Sequence, residues 1–164
     1  MGGCRQWRVY VTGDTTARGT ASSPTAVMGG APGGDGAVQD QVTIRMPAEG
    51  AYLSVLRTAT AGLAARLDFT LDEIEDLRIA VDEACGMLLA QAAPSAELEC
   101  DFTLGEDRMN IAVSTSASQP RPPARDTFAW TVLSALAGSA DAWVGPGDRV
   151  TVMLRKVRDS SRPG

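Results

Sequence analysis

The segment from Thr70 to Ala92 is the strongest helix signal in the chain, and it constrains the fold more than any other stretch. Thr70 is followed three residues later by Glu73, the spacing of a capping box in which each side chain bonds a backbone N–H at the helix start. Acidic residues fill the opening turns, where the helix dipole favours negative charge. Apolar residues then recur at helical spacing and predict one buried stripe: Ile74, Leu77, Val81, Ala84, Cys85 and Leu88.

The same helix carries a second, unusual face. Ile79, Glu83 and Met87 recur at four-residue spacing, so they lie one above the other. Glu83 is therefore a carboxylate on a face that is neither the main apolar stripe nor an ordinary row of salt bridges. On general grounds an exposed Glu is a solvated surface charge, so the position of Glu83 alone assigns it no function.

Length and composition predict one globular domain without a nucleic-acid surface. The chain has 164 residues, of which 44% are hydrophobic, enough for a sizeable core. The net charge is −5, whereas a surface that binds nucleic acid usually shows a basic patch, so we expect no direct contact with DNA. No apolar run is long enough to span a membrane, and the first residues lack the apolar core of a signal peptide. The cytoplasm is the expected compartment.

The side chains available for chemistry are limited. The chain contains no histidine, which excludes Ser-His and Cys-His nucleophile pairs and histidine-ligated metals. Cys4, Cys85 and Cys100 have no metal-binding spacing, and we predict no metal site. Cys85 and Cys100 fall on apolar patterns and are interpreted as buried hydrophobic side chains. Trp130 and Trp143 are likewise expected in the core.

The folded domain is predicted to span residues 41–157. Residues 1–40 are rich in Gly, Ser, Thr, Ala and Pro and predict a disordered tail, with a start codon annotated too far upstream as the alternative. Residues 158–164 are expected to form a second, short disordered tail. Between them, alternating and helical patterns predict a strand, two helices, two strands, a helix and two strands. This order indicates an α+β two-layer sandwich, with a mainly antiparallel sheet and helices on one face.

The element boundaries follow from local signals. A helix at residues 51–67 is separated from the Thr70 helix by a short break at Asp68 and Phe69, and Asp126 or Thr127 is expected to cap the third helix, which Gly138 ends. The predicted strands lie at residues 41–46, 97–102, 109–114, 142–144 and 150–157.

The sequence resembles the bacterial anti-sigma factor serine kinases. The matching segments are VTIRMPAEGAYLSVLRTATAGLAARLDFTLDEIEDLRIAVDEACGMLL (residues 42–89), in which DEIEDLRIAVDEAC is the most specific part, and EDRMNIAVS (residues 106–114). The resemblance covers about residues 41–157 and implies the histidine kinase-like ATPase fold. The likeness is strongest to divergent actinobacterial members, which share a helix like FAWTVLSALAG in place of the glycine-rich box.

The resemblance also implies a set of partners. Members of this family serve general stress response and sporulation. They bind an alternative sigma factor, keep it from RNA polymerase, and phosphorylate a small anti-anti-sigma antagonist on serine with Mg-ATP, usually as homodimers. An arginine on their first helix contacts these partners, and Arg57 matches that position. The small residues Thr58–Gly62 that follow would let a partner or a dimer mate approach closely.

The resemblance breaks down at the nucleotide-binding boxes. Glu83 matches the family's general base, but Met87 replaces the Asn that holds Mg²⁺, and a soft thioether is a poor ligand for this hard cation. The segment Thr115-Ser116-Ala117 stands where an Asp-x-Gly binds adenine. Residues 127–130 stand where a glycine-rich lid cradles phosphate. We therefore expect a degenerate site formed by Met87, Thr115 and Ala117, in which Glu83 is a vestige, and no cofactor unless the altered pocket still binds ATP and Mg²⁺.

Three hypotheses follow. The first is a binding module: an anti-sigma factor that sequesters a sigma factor under the control of a STAS-type antagonist, with Arg57 in the partner surface. The second is an enzyme, an active serine protein kinase that uses Mg-ATP in an altered pocket, for which Glu83 is the support in the sequence. The third is an adaptor that binds antagonist proteins without a sigma factor. We favour the first.

Overall fold

A computed structural model describes residues 8–12 and 40–159 of the chain. These residues form six strands and three α-helices, together with single turns of 3-10 helix at Gly50–Tyr52 and Pro146–Asp148. In chain order the elements are β1 (Arg8–Thr12), β2 (Asp40–Pro47), α1 (Leu53–Arg66), α2 (Leu71–Leu89), β3 (Glu97–Leu104), β4 (Arg108–Ser116), α3 (Phe128–Ala137), β5 (Ser139–Gly145) and β6 (Arg149–Val157).

The strands form one antiparallel sheet in the order β1-β2-β3-β4-β6-β5. Every second residue along the central strands points to the core, and these residues are apolar, such as Cys100, Phe102 and Ile111, which are 0% exposed. They belong to the same hydrophobic cluster as the buried side of α2. The three helices pack side by side, with α2 in the middle. The predicted α+β sandwich with helices on one face is confirmed.

The main departure from the predicted organisation is β1. Arg8–Thr12 lies within the segment that we expected to be a disordered tail, yet it pairs antiparallel with β2, with Val9 opposite Ile44. The sequence RVYVT has β-branched and aromatic residues that favour a strand. The segment is only five residues long, however, and the surrounding Gly-rich and Ser-rich composition predicted disorder. The remainder of the expected tails, at residues 1–7, 13–39 and 160–164, lies outside the described residues.

The α2 helix begins as the sequence predicts. The Thr70 hydroxyl accepts a hydrogen bond from the Glu73 N–H at 3.3 Å, and the Glu73 carboxylate accepts one from the Thr70 N–H at 2.8 Å, which completes the capping box. The same carboxylate accepts the Asp159 N–H at 2.9 Å and so ties the chain after β6 to the helix start. Burial raises the pKa of Glu73, but these backbone hydrogen bonds, the Thr70 hydroxyl and nearby Lys156 outweigh it, so the pKa lies below its ordinary value.

The two faces of α2 are also as predicted. Every residue of the apolar stripe is fully buried except Ile74, which is partly buried, while on the second face Ile79 is 41% exposed and Glu83 and Met87 are half-buried. The helix ends at Leu89, and Ala92 forms an isolated bridge with Ala117. Among the residues described, none of the helices combines the length and apolarity that crossing a bilayer requires.

Three of the four cysteine and tryptophan residues expected in the core are buried, and one is exposed. Cys85 and Cys100 are buried, and burial raises the pKa of the Cys85 thiol to about 12 and that of Cys100 well above its ordinary value. Trp130 lies in the core at 7% exposure, as expected. Trp143 is 42% exposed, so its expected core position is wrong: it lies on β5, an edge strand of the sheet.

Candidate functional site

The second face of α2 places Glu83 and Met87 one turn apart, in different surroundings. Met87 packs against the hydrophobic core from its margin. Glu83 is half-buried, and its carboxylate makes no hydrogen bond or ion pair with any residue in the described part of the chain. The structure therefore keeps Glu83 available at the surface, whereas Met87 contributes to packing.

A groove of about 520 Å³ opens beside Met87, between the end of α2 and the loop that follows β4. This volume lies within the range of small-molecule sites, so space alone does not exclude a ligand. Glu83 does not line the groove, and neither does any other carboxylate. The lining residues are Met87, Ala90, Gln91, Ala92, Ser118, Gln119, Arg121 and Pro122.

The first half of this loop is fixed by hydrogen bonds to the residues that follow α2 and to the 3-10 turn before β6. The Arg121 N–H donates to Gln91 Oε1 at 3.1 Å. The Ala93 N–H donates to the Ser116 carbonyl at 2.9 Å, and the Ala117 N–H donates to the Asp148 carbonyl at 3.0 Å. The loop therefore forms the wall of the groove and is attached to its surroundings at several points.

The second half of the loop is held by Arg125. Its guanidinium group donates to Asp141 and to the Ala142 carbonyl, both on the edge strand β5, and lies 5.3 Å from the centre of the Trp130 ring. The Asp141 carboxylate accepts hydrogen bonds from the Ala142 N–H and from Arg125. These bonds, the first with the larger effect, hold the pKa of Asp141 below its ordinary value. One side chain thus links the loop to an edge strand and to the start of α3.

Thr115 and Ala117 lie behind the groove and do not line it. Thr115 is 0% exposed, and its hydroxyl donates to the Glu97 carbonyl at 2.8 Å, across to the neighbouring strand β3. Ala117 is 4% exposed and is engaged in the bridge to Ala92. Neither side chain is open to a ligand in the groove.

The start of α3 is closed by its own cap. The sequence left Asp126 and Thr127 as candidates, and the structure selects Thr127, whose hydroxyl accepts the Trp130 N–H at 3.2 Å. Phe128, the first helical residue, is 83% exposed. The cap uses one of the backbone donors that a helix start otherwise offers to an anion.

Arg57 lies on α1, where its guanidinium faces α2. Its Nη1 donates to Asp82 Oδ2 at 2.8 Å, and the side chains are 41% and 31% exposed. Asp82 precedes Glu83, so the ion pair and the free carboxylate are neighbours on α2. The sequence analysis missed Asp82, because the 25 residues that separate it from Arg57 leave no local signal of the pair.

A second groove, of about 610 Å³ and mostly apolar, separates α1 from the sheet. The small residues Thr58, Ala59 and Gly62, which the sequence analysis noted as a region of close approach, form part of its wall. Val55 is 45% exposed on the same helix. The lining residues are Val42, Ile44, Ser54, Val55, Thr58, Ala59, Gly62 and Leu63.

Comparison with known proteins finds relatives that match part of the chain. No family model matches. The serine-protein kinases RsbW of Bacillus subtilis (strain 168) and Bacillus velezensis are each 36% identical over 78 residues, which cover 46% of this chain and 49% of each relative. RsbW of Bacillus cereus (strain Q1) is 35% identical over 77 residues, or 46% and 48% of the two chains. The chain thus spans about half the length of the curated relatives it matches, and over that half the resemblance to the anti-sigma factor serine kinases is confirmed.

Proposed function

Because the chain is related to the RsbW serine-protein kinases over about half its length, we propose that it is an anti-sigma factor with a degenerate nucleotide site. It binds an alternative sigma factor and keeps it from RNA polymerase. An anti-anti-sigma protein of the STAS type competes with the sigma factor for binding to this protein. The protein acts in the cytoplasm as a homodimer and needs no cofactor for these contacts.

The observation that carries this proposal is the packing around Met87. Met87 fills the margin of the core at the position of the family's metal-binding Asn, and the neighbouring groove has no carboxylate in its lining. Mg²⁺ prefers oxygen ligands in near-octahedral geometry and is held by carboxylates and phosphates. The residues present therefore do not fit Mg²⁺, and we derive no phosphoryl transfer through it.

The positions expected to bind the adenine and the phosphates of ATP do not fit a nucleotide either. Thr115 is buried and its hydroxyl is bonded to Glu97, so it does not replace an Asp that accepts a hydrogen bond from adenine. Thr127 caps α3 with its own hydroxyl, and the loop before it is held by Arg125. A phosphate cradle needs free backbone N–H groups that approach the ligand closely. These observations support loss of ATP binding.

The surface needed for protein binding is present on α1. Arg57 is partly exposed, and arginine is among the residues enriched at the centres of protein interfaces. The apolar groove along the same helix would allow close packing of a partner or of a second subunit. Protein contact requires only this surface, so it survives the changes at the nucleotide site.

The decisive experiment is a binding panel with the purified full chain and each alternative sigma factor of its own cell, without nucleotide. We expect one sigma factor to bind, and Arg57→Ala to weaken binding about tenfold or more, as loss of an interface hot spot does. Arg66→Ala is the matched control, because Arg66 lies on the same helix and makes only an exposed ion pair with Asp40. Failure of every sigma factor to bind would refute the proposal.

Glu83 is the observation that favours the alternative, an active serine protein kinase. A carboxylate at the general-base position is at the surface and has no partner among the described residues. A base that activates a serine hydroxyl has no phosphoryl donor without bound ATP, so nucleotide binding separates the two functions. A third function, an adaptor for antagonist proteins alone, requires that an antagonist binds through Arg57 while no sigma factor does.

A further inference from the structure

The ion pair between Arg57 and Asp82 has a third charged neighbour that is incompletely bonded. Arg78 lies four residues before Asp82 on α2, so the two side chains are neighbours on the helix surface. Nη1 of Arg78 bonds Glu75 Oε2 at 2.7 Å, and these side chains are 38% and 58% exposed. An exposed pair of this kind contributes little and is easily exchanged.

Two atoms of this cluster are buried without a hydrogen bond. They are Arg78 Nε and Asp82 Oδ1, which have no partner in the described part of the chain. One is a donor and the other is an acceptor, and an unbonded buried polar atom is unfavourable. Asp82 is held by Arg57 through Oδ2 only, and Arg78 by Glu75 through Nη1 only. Each side chain therefore retains an unused bonding position that the other could satisfy.

We propose that Asp82 holds Arg57 in the free protein and releases it to a carboxylate of the partner, while Asp82 itself turns to bond Nε of Arg78. The proposal rests on the proposed function in one respect, the contact of Arg57 with a protein partner. Asp82 is then a positioning residue. It keeps the long Arg57 side chain extended toward α2 before binding and is neutralised by Arg78 afterwards.

The chemistry of Arg57 selects an acidic partner residue. The contact with Asp82 uses one nitrogen of Arg57, and the 41% exposure of the side chain leaves room for a second group at the guanidinium. A guanidinium binds a carboxylate through two parallel hydrogen bonds, which a single-nitrogen contact cannot match. A partner Asp or Glu therefore displaces Asp82, whereas a neutral residue leaves the Asp82 pair in place.

The first test uses the free protein and is independent of any partner. Side-chain ¹⁵N NMR is recorded for Arg78 Nε–H in the Arg57→Ala variant and in Arg57→Ala/Asp82→Ala, which removes the acceptor. We expect Arg57→Ala to shift this signal and slow its exchange with water severalfold, because Asp82 turns to Arg78 when Arg57 is absent. In the double variant, the position of the Arg78 signal and its rate of exchange with water should return to their values in the original protein. An Arg78 signal that is the same in both variants would overturn the proposal.

The second test measures partner binding in a double-mutant cycle. Arg78→Met leaves the Arg57–Asp82 pair intact but removes the group that receives Asp82, so affinity for the sigma factor found in the panel should fall about fivefold. In the D82N background, where no carboxylate needs a new partner, the same change should alter affinity less than twofold. Arg66→Met controls for the loss of one positive charge on the surface.

The outcomes separate the two proposals. If no sigma factor binds, the proposed function fails, while the NMR comparison still decides whether Asp82 transfers to Arg78. If a sigma factor binds and Arg78→Met weakens it equally with Asp82 and in the D82N background, Arg78 acts directly on the partner and the transfer is overturned. A fivefold effect confined to the background with Asp82 supports it.

Discussion

At the scale of single residues, the proposed loss of Mg²⁺ binding depends most on position 87. Asn offers Mg²⁺ an amide oxygen, whereas Met offers a flexible apolar chain that fills irregular space well. In the structure Met87 packs against the core margin and lines the groove at the end of α2. Met87 thus has a packing role, which predicts that an Asn at this position will lower stability.

We predict that Met87→Asn lowers the free energy of unfolding by about 1–2 kcal/mol, because a polar amide replaces an apolar side chain packed on the core. Met87→Leu, which keeps the apolar volume, should cost less than about 1 kcal/mol. Urea unfolding of both variants, followed by circular dichroism, measures the difference. Equal stability of the Asn variant and the original protein would show that Met87 does not contribute to packing.

At the scale of elements, the sequence predicted what local signals specify. The capping box of α2, its two faces and the boundary at Gly138 all follow from residues within a few positions of each other, and all are confirmed. The sequence analysis missed the contacts between distant segments. Nothing near Arg57 indicates Asp82, and nothing near Arg125 indicates that its guanidinium holds β5. These pairs exist only once the helices and strands have packed.

The α2 start predicts a specific dependence of stability on pH. The pKa of Glu73 is lowered in the folded state, so its contribution is present above the unfolded-state pKa of about 4.5 and is lost as the pH falls through the lower folded-state value. At neutral pH, Glu73→Gln should lower the free energy of unfolding by about 1 kcal/mol. Below the folded-state pKa this difference should vanish.

Chemical unfolding of the two proteins across a series of acidic pH values measures this difference. Glu75→Gln is the control on the same helix, because Glu75 makes only an exposed pair with Arg78 and should change stability by less than about 0.5 kcal/mol at any pH. A Glu73→Gln difference that grows as the pH falls would contradict the assigned sign of the pKa shift.

The loop beside the groove gives a second prediction at this scale. Arg125→Ala removes the contacts with Asp141, the Ala142 carbonyl and the Trp130 ring, so amide hydrogen exchange in residues 117–127 should accelerate. Arg121→Ala is the matched control, because its backbone N–H still bonds Gln91 and its side chain contacts only Gln119. Equal exchange in the two variants would show that Arg125 does not fix the loop.

At the scale of the whole molecule, the fold can be assigned independently of any nucleotide chemistry. The antiparallel sheet with three helices on one face is retained, and half of the chain keeps 35–36% identity with RsbW kinases. The strand order was beyond prediction from this sequence, since β1 is only five residues long and lies in a Gly-rich region. In the function that we propose, the departures from the family lie at the nucleotide-binding positions, and partner binding through Arg57 does not depend on them. One fold can host different functions, because function belongs to the site rather than to the fold.

We propose above all that this protein binds its partners without using ATP. A calorimetric titration of the full chain with Mg-ATP up to millimolar concentration tests it most directly, with the serine-protein kinase RsbW of Bacillus subtilis (strain 168) as the positive control. We predict no saturable heat of binding for this chain. Saturable binding at one nucleotide per chain would contradict the claim and favour a serine kinase that uses Glu83.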